Sequence, residues 1–252
     1  MLQTGKIEPR TRPGKLQAGF ATCEREIREA QKLRFRVFAE ELGARLPSRI
    51  PGVDHDIYDP FCEHLVVRDE SQGRIVGTYR ILAPEAALRV GGYYSESEFD
   101  LTRLQHLRPR IVEIGRSCIH PEYRSGAAIA LLWSALARYM EENHHDYLLG
   151  CASISMADGG HAAASIYARL RERNESPLEY RVFPRCALPL PALRNDVPAQ
   201  IPPLIKGYLR AGAWICGEPA WDPDFNTADL PMLMPMSRLA PKYARHFMNQ
   251  CS

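Results

Sequence analysis

The segment that most constrains the fold of this chain is residues 111–133, IVEIGRSCIHPEYRSGAAIALLW. Its first half is rich in β-forming residues: Ile111, Val112, Ile114 and Ile119. Two charged residues, Glu113 and Arg116, interrupt this apolar run, and Pro121 ends it because proline cannot donate a ladder hydrogen bond. Apolar residues then recur with helical spacing at Ile129, Leu132, Trp133, Leu136 and Met140. The pattern predicts a strand, a turn and a helix in direct succession.

A basic, glycine-containing turn between a strand and a helix is a recurrent phosphate-binding arrangement. Free amides in the first helical turn and the positive end of the helix dipole face the anion. Here the turn and the first helical residue would be supplied by Arg124, Ser125, Gly126 and Ala127, with the guanidinium adding positive charge. The alternative is that Arg124 is an ordinary surface arginine and Gly126 only starts the helix.

The distribution of charge suggests one domain preceded by a basic arm. A chain of 252 residues with 45% hydrophobic content can bury one substantial core. Its 32 basic and 30 acidic residues leave a net charge of +2, which argues against a dedicated nucleic-acid binder. Residues 1–19, however, contain Lys6, Arg10, Arg12 and Lys15 against one acidic residue. We therefore predict a basic arm over residues 1–19 and a single domain over residues 20–252.

Cysteine usage and hydropathy indicate a cytoplasmic protein. The seven cysteines are scattered, odd in number and contain no C-x-x-C pair. This pattern fits reduced thiols, and neither a disulfide framework nor a zinc site. No run of about 18 apolar residues is present, so any membrane contact is predicted to be peripheral.

The remaining segments alternate between helical and extended patterns. Helices are predicted over residues 24–42, 161–173 and 201–211, and strands over 64–69, 74–82, 146–155, 180–183 and 213–216. An acidic loop containing Asp54, Asp56 and Asp59 precedes the first two of these strands. Alternating helices and strands predict an α/β (α+β) domain with a mixed sheet. The chain contains no G-x-G-x-x-G, Walker, G-x-S-x-G or H-E-x-x-H motif.

Several segments together resemble the acyltransferases of the GNAT superfamily. LRFRVFAEEL, DHDIYD, GTYRIL and VEIGRSCIHPEYR have the order and spacing found in acyl-homoserine-lactone synthases. HPEYRSGAAIALLW, GAWICGEPAWDPDFNTADLP and YARHF are more similar to the ornithine-lipid-forming N-acyltransferases. The resemblance extends from about residue 20 to 248. It implies a GNAT-like mixed sheet, splayed at its centre and flanked by helices, with acyl-pantetheine lying in the splay.

The resemblance also implies an activity. The expected reaction transfers a (3-hydroxy)acyl chain from acyl carrier protein to the α-amine of L-ornithine, giving a lyso-ornithine lipid. It implies no metal and no tightly bound cofactor; acyl-ACP, a 4'-phosphopantetheine thioester, is the cosubstrate. The expected partners are acyl carrier protein, ornithine and an anionic membrane surface, with peripheral association at the inner membrane. Catalytic roles fall on Glu113 and Arg116, and substrate-binding roles on Arg34, Asp54, Asp59 and Arg80.

The phosphate-binding turn departs from the usual acetyltransferase pattern. The superfamily loop reads Arg-x-x-Gly-x-Gly/Ala, whereas Arg124-Ser-Gly-Ala places its glycine one position early. This arrangement fits the single phosphodiester of carrier-protein pantetheine better than the pyrophosphate of coenzyme A.

The chemistry of amide formation assigns a role to Glu113. An α-amine has a reference pKa near ~8, so a carboxylate that collects its proton would contribute about 10²–10⁴-fold. The alternative for Glu113 is a buried glutamate paired with Arg116. Positions 113 and 116 lie on opposite faces of a regular strand, so a bulge near Gly115 would be needed to bring them together.

Recognition of ornithine needs charges of both signs. Arg80 or Arg116 would take its carboxylate, and an aspartate of the acidic loop would take its side-chain ammonium. Loop capping is the alternative role of these aspartates.

A second set of arginines would form a basic rim for the acidic carrier protein: Arg124 and the arginines at 169, 171, 173, 181 and 185. The competing hypotheses are a synthase acting on lysine, glycine or S-adenosylmethionine, and an inactive acyl-carrier-binding module.

Overall fold

The computed structural model describes residues 15–239. The strands are β1 (Leu16–Phe20), β2 (Glu63–Asp69), β3 (Arg74–Leu82), β4 (Phe99–Asp100), β5 (Ile111–Ile119), β6 (Tyr147–Ser155), β7 (Phe183–Pro184), β8 (Trp214–Ile215), β9 (Ala220–Asp222) and β10 (Thr227–Pro235). The α-helices are α1 (Glu24–Phe35), α2 (Pro84–Val90), α3 (Ala127–Glu142), α4 (His161–Asn174) and α5 (Pro203–Ala211). A π-helical segment, Arg36–Glu41, continues α1, and short 3-10 helices span Asp59–Phe61, Tyr94–Ser97, Thr102–Arg110, Pro121–Tyr123, Leu178–Tyr180, Leu190–Ala192 and Met236–Arg238.

A mixed sheet organises the described residues. Its strand order is β1–β2–β3–β5–β6–β10–β8, and β9 pairs with β10. All of its pairs are antiparallel except β5 with β6. That pair is parallel because α3 connects the two strands by a crossover, as a parallel connection requires. A second sheet contains only β4 and β7.

The sheet separates at its centre. β5 and β6 have nine residues each, but only Ile111–Glu113 pairs with Tyr147–Leu149. At Gly150 of β6 the backbone still lies close to β5: a Cβ at this residue would be 2.6 Å from the carbonyl oxygen of Ile114. The mixed, centrally splayed GNAT-like sheet expected from the sequence is therefore confirmed.

Helices cover both faces of the sheet, following the alternation of side chains along each strand. On β2 and β3, Val67 and Val76 face a core completed by α3, whereas Val66 and Ile75 pack with α1. The predicted stripe of α3 enters the first core at Leu132, Leu136 and Met140. Cys118 belongs to the second core, in agreement with a structural thiol. Within residues 15–239, no helix combines the length and apolar character needed to cross a bilayer.

Two predicted segments differ from the structure. β1 begins at Leu16, so residues 16–19 belong to the sheet and the predicted arm boundary at residue 19 is wrong. Lys6, Arg10 and Arg12 lie outside the described residues. The strand predicted over residues 180–183 is reduced to the two-residue β7, because this segment pairs only with the equally short β4.

Candidate functional site

Two adjoining cavities open where β5 and β6 separate. The first, the splay cavity, has a volume of about 440 Å³ and lies between residues 114–117 of β5 and the alternating Cys151, Ser153 and Ser155 of β6. The second, the outer cleft, has a volume of about 1050 Å³. Both are lined by Tyr58, Tyr94, Arg116, Asp222 and Phe225. The shared wall makes this region the meeting point of two binding spaces.

A β-bulge sets the direction of the β5 side chains. Arg80 lies opposite Gly115 and Thr78 opposite Cys118, so β5 contains one residue more than β3 between these pairs. Arg116 has a φ of +50°, a left-handed conformation that is uncommon for a residue other than glycine. The predicted bulge therefore exists, and Glu113 and Arg116 both line the splay cavity.

Glu113 is held by backbone and hydroxyl donors, and within residues 15–239 no salt bridge joins it to Arg116, the partner that its alternative role required. Its Oε2 accepts a hydrogen bond from the Tyr94 amide at 2.6 Å. Its Oε1 accepts bonds from the Ser95 amide at 2.7 Å and the Ser95 hydroxyl at 2.5 Å. Burial raises the pKa of the Glu113 carboxyl, and these donors oppose that rise. A carboxylate can accept more than three hydrogen bonds, so Glu113 keeps capacity for a proton from the cavity.

Three of the predicted substrate-binding residues form a buried support behind the cavities. Arg34 donates to Asp54 at 2.8 Å and to Asp59 at 2.7 Å, and their side chains are essentially inaccessible. Burial opposes ionisation of Asp59, but Arg34 and Arg80 hold the pKa of its carboxyl below the usual range. None of Arg34, Asp54 and Asp59 lines either cavity. Each of these side chains is engaged within the network, and its predicted role in substrate binding stays a prediction.

The network extends to the cavity walls through Arg80, Arg116 and Asp56. The Nη1 atom of Arg80 lies 2.7 Å from Asp56 and 3.0 Å from Asp59. The Arg116 guanidinium lies 4.9 Å from the Tyr94 ring centroid and 4.7 Å from that of Phe225. Its Nη2 atom is 3.4 Å from Asp56, which lines the outer cleft. Both arginines line the splay cavity and are fixed in place, so they can orient an anionic group without rearranging.

A second acidic group lies across the splay cavity, and sequence reasoning assigned it no role. Asp229 on β10 lies opposite Ser153 on β6, and Asp222 ends β9. Oxygen atoms of Glu98 and Asp229 and the Cys151 sulfur lie within 4.8 Å of one another. Burial and the neighbouring carboxylates raise the pKa of Glu98 to about 9. Asp229 interrupts an otherwise apolar strand, the same signal that identified Glu113.

Aromatic side chains form part of the wall of the splay cavity. The hydroxyl oxygens of Tyr79 on β3 and Tyr208 on α5 are 2.6 Å apart. Trp133 stacks on Tyr208 with 5.4 Å between ring centroids and donates to the Tyr79 hydroxyl at 3.3 Å. Tyr79 also belongs to the core that α3 completes, and Trp133 and Tyr208 pack against that core.

The predicted donor-binding turn lies at the start of α3. Gly126 has a φ of +105° and directly precedes the helix, whose first amides have no intrahelical acceptor. Arg124 is engaged with both carboxylate oxygens of Glu41, at 2.5 and 2.7 Å, and with the Ile119 carbonyl at 3.0 Å. None of Arg124, Ser125, Gly126 and Ala127 lines the two cavities. Their role toward the donor stays a prediction.

Comparisons with solved structures support the fold. The acyl-homoserine-lactone synthase LasI has a TM-score of 0.51 at 17% identity, covering 88% of this chain and 89% of that chain. FeeM, an N-acyl amino acid synthase from uncultured soil microbes, has a TM-score of 0.56 at 14% identity, covering 90% and 95%. A model of the acetyltransferase (GNAT) domain matches residues 33–134, which include Glu113, Arg116 and the turn before α3.

Sequence relatives are closer. The L-ornithine N(alpha)-acyltransferase of Agrobacterium fabrum is 37% identical over 94% of this chain and 86% of its own length. The enzymes of the same name from Brucella abortus and Rhodobacter capsulatus are each 36% identical, covering 94% and 88% of this chain and in both cases 90% of their own length. At this identity and coverage, the chain belongs to the L-ornithine N(alpha)-acyltransferase family, built on the GNAT fold.

Proposed function

We propose that this protein transfers an acyl chain, of the 3-hydroxy type, from acyl carrier protein to the α-amine of L-ornithine, giving a lyso-ornithine lipid. The observation that carries the proposal is the position of Glu113. This carboxylate is buried, held by three hydrogen bonds, and lines the cavity between the separated strands. Family membership supports the acceptor, since the relatives are named for ornithine acylation.

The reaction is direct aminolysis of a thioester. The neutral α-amine attacks the carbonyl carbon, a C–N bond forms, and the C–S bond breaks to release the pantetheine thiolate. Glu113 accepts the proton that the amine nitrogen loses. The thiolate then takes up this proton and leaves as a thiol, which regenerates the Glu113 carboxylate. Arg80 and Arg116 hold positive charge at the cavity wall, where the acceptor carboxylate can lie bidentately against a guanidinium.

We assign the acyl chain to the splay cavity, and the acceptor to the outer cleft together with the part of the splay cavity that Arg80, Glu113 and Arg116 line. The lining of the splay cavity includes apolar and aromatic side chains, which suit an acyl chain, whereas the outer cleft is lined by His55, Asp56, Glu98 and Arg116. The residues common to both cavities are then the place where amine and thioester meet. Arg124, Ser125, Gly126 and Ala127 remain our candidates for the donor phosphodiester.

The test supplies purified protein with acyl carrier protein or coenzyme A thioesters and a panel of amines. The panel contains ornithine, lysine, glycine and S-adenosylmethionine, and products are read by mass spectrometry. We expect acyl-ornithine as the main product and carrier-protein thioesters as the better donor. If another amine is preferred, ornithine is not the acceptor and that amine takes its place in the proposal. Absence of any product from all donors would support the alternative of an inactive carrier-binding module.

Carrier-protein recognition is expected to depend on exposed arginines. Arg124, Arg169, Arg171, Arg173 and Arg185 are exposed, whereas Arg181 is half-buried and paired with Glu175. Reversing the charges of Arg171 and Arg173 should raise the KM for carrier protein and flatten its salt dependence. The same KM and salt dependence in this variant would exclude both arginines from the rim.

Peripheral membrane binding is the last part of the proposal. The product carries a fatty chain, and release into the bilayer avoids its exposure to water at about 0.8 kcal/mol per CH₂. Lys6, Arg10, Arg12 and Lys15 would add about 1 kcal/mol each near anionic lipid. Liposome co-sedimentation should show weaker binding for a version that begins at Leu16, which keeps β1 whole. Equal sedimentation of the two versions would show that the basic arm does not contribute to membrane binding.

A further inference from the structure

We propose that Glu98, Asp222 and Asp229 form a subsite for the side-chain ammonium of the amino-acid acceptor. The inference rests on the proposed function and adds the group that selects a diamine among amino acids. It also replaces Asp54 and Asp59 as the predicted ammonium ligands, since those carboxylates are neutralised by Arg34.

The three carboxylates converge on the two cavities from different elements. Asp229 lines the splay cavity, Glu98 lines the outer cleft, and Asp222 lines both. Asp222 and Asp229 are buried, with 8% and 5% of their surfaces exposed. The subsite therefore lies at the junction where the acceptor must enter.

Glu98 and Asp229 lack the partners that buried charges need, whereas Asp222 accepts hydrogen bonds from the amides of Asp224 and Phe225. Oδ1 of Asp229 and both carboxylate oxygens of Glu98 are buried and find no hydrogen-bond partner among residues 15–239. In the same part of the chain, Glu98, Asp222 and Asp229 form no salt bridge, whereas Asp54, Asp56 and Asp59 all pair with arginines. An ammonium among these carboxylates would offset the cost of a buried negative charge and favour their ionised forms, so the cluster is complementary to a cation supplied from outside the chain.

Glu113 and the acidic cluster belong to one connected set of polar atoms. The Ser95 hydroxyl donates to Glu113 at 2.5 Å and lies 3.4 Å from the Cys151 sulfur. That sulfur lies within 4.8 Å of oxygen atoms of both Glu98 and Asp229. A short diamine can thus present one nitrogen to Glu113 while its other nitrogen enters the cluster.

An organic ammonium fits the cluster better than a metal ion. Glu98, Cys151 and Asp229 are the described residues whose ligand atoms cluster closely enough to hold a metal. Burial, however, raises the pKa of the Cys151 thiol well above its ordinary value, so the thiolate that a metal requires is disfavoured. An ammonium needs only hydrogen-bond acceptors, which the carboxylate oxygens supply.

The experiment compares ornithine with norvaline, which has the same carbon chain without the second amine. The kcat/KM ratio for ornithine over norvaline is measured in the wild type, in Glu98→Gln and in Asp229→Asn. Because a buried charge pair is lost, we expect each substitution to lower this ratio by about 30-fold or more, chiefly through the KM for ornithine. Asp196→Asn, a substitution of an exposed carboxylate, is the matched control and should keep the ratio.

The outcomes separate this inference from the proposed function. A wild-type protein that acylates neither amino acid refutes the function. A wild-type protein that prefers ornithine, with variants of unchanged ratio, refutes the subsite alone. For a variant too slow to assay, the affinity of the folded protein for ornithine is measured by calorimetric titration. Affinity equal to that of the wild type in both variants would overturn the proposal. Loss of wild-type activity with EDTA, restored by Zn²⁺ or Mg²⁺, would also overturn it in favour of a metal.

Discussion

Replacing Glu113 by glutamine tests the central chemical assignment, because the substitution keeps the volume of the side chain and removes its charge and basicity. In the structure this carboxylate accepts hydrogen bonds from the Tyr94 amide, the Ser95 amide and the Ser95 hydroxyl. A glutamine amide can satisfy the two Ser95 donors with its oxygen, but its NH₂ group then faces the Tyr94 N–H. One buried amide is left without an acceptor.

Two magnitudes follow from this geometry. The unsatisfied amide should lower the free energy of unfolding by about 1–3 kcal/mol. Loss of the proton acceptor should lower kcat by about 10²–10⁴-fold, or about 2.7–5.5 kcal/mol in the activation barrier. The expected rise in the activation barrier therefore exceeds the expected loss of unfolding free energy. A loss of about 1–3 kcal/mol is smaller than the stability of a typical domain, so the variant should remain folded at room temperature.

The assay is acyl-ornithine formation at saturating ornithine and donor, with circular dichroism as the measure of folding. Glu122→Gln, which removes an exposed carboxylate just beyond the same strand, is the control and should keep the wild-type kcat. A folded Glu113→Gln protein with kcat within about threefold of the wild type would refute general-base catalysis by this residue.

Three further predictions follow from the buried charges. Ser95→Ala removes a hydrogen bond that lowers the pKa of Glu113, so the acid limb of kcat/KM, which reports that carboxylate, should move to higher pH. Arg34→Met removes the shared partner of the buried Asp54 and Asp59, which keep only Arg116 and Arg80, and should cost about 3–5 kcal/mol in urea unfolding, whereas Arg28→Met at an exposed position should cost little. Folding raises the pKa of Glu98 from 4.5 to about 9, so its protonation contributes stability that is lost as pH rises through this range. Glu98→Gln should therefore raise Tm relative to the wild type at pH 9.5, by about 2–4 °C per kcal/mol, and this gain should vanish near pH 4.

The sequence was most informative where local patterns and burial agree. The segment 111–133 predicted β5, the turn and α3, because its apolar residues match both the strand and the helix period. Charged residues inside apolar runs identified Glu113, Arg116 and Arg80 as functional candidates, and all three line the splay cavity. The same logic applied to Asp229 would have found part of the acidic cluster.

Other features depend on contacts between distant segments, which local patterns do not encode. Asp54 and Asp59 read as available loop carboxylates, but α1 brings Arg34 against both of them. Arg116 was the alternative partner for Glu113, but the 3-10 helix Tyr94–Ser97 supplies the donors that hold this carboxylate. Arg34 is 20 residues from Asp54 along the chain, and Tyr94 is 19 residues from Glu113, so a short sequence motif does not contain both partners.

The contact between Tyr79 and Tyr208 has a consequence for product length. Tyr208 also lines two smaller cavities of about 20 Å³ each, which continue toward Leu148 and Met234. In the proposed arrangement, with the acyl chain in the splay cavity, the tyrosine pair would limit the length of chain that fits. Substitution of Tyr208 on α5 would then change the preferred acyl length and leave Glu113 on β5 unaltered.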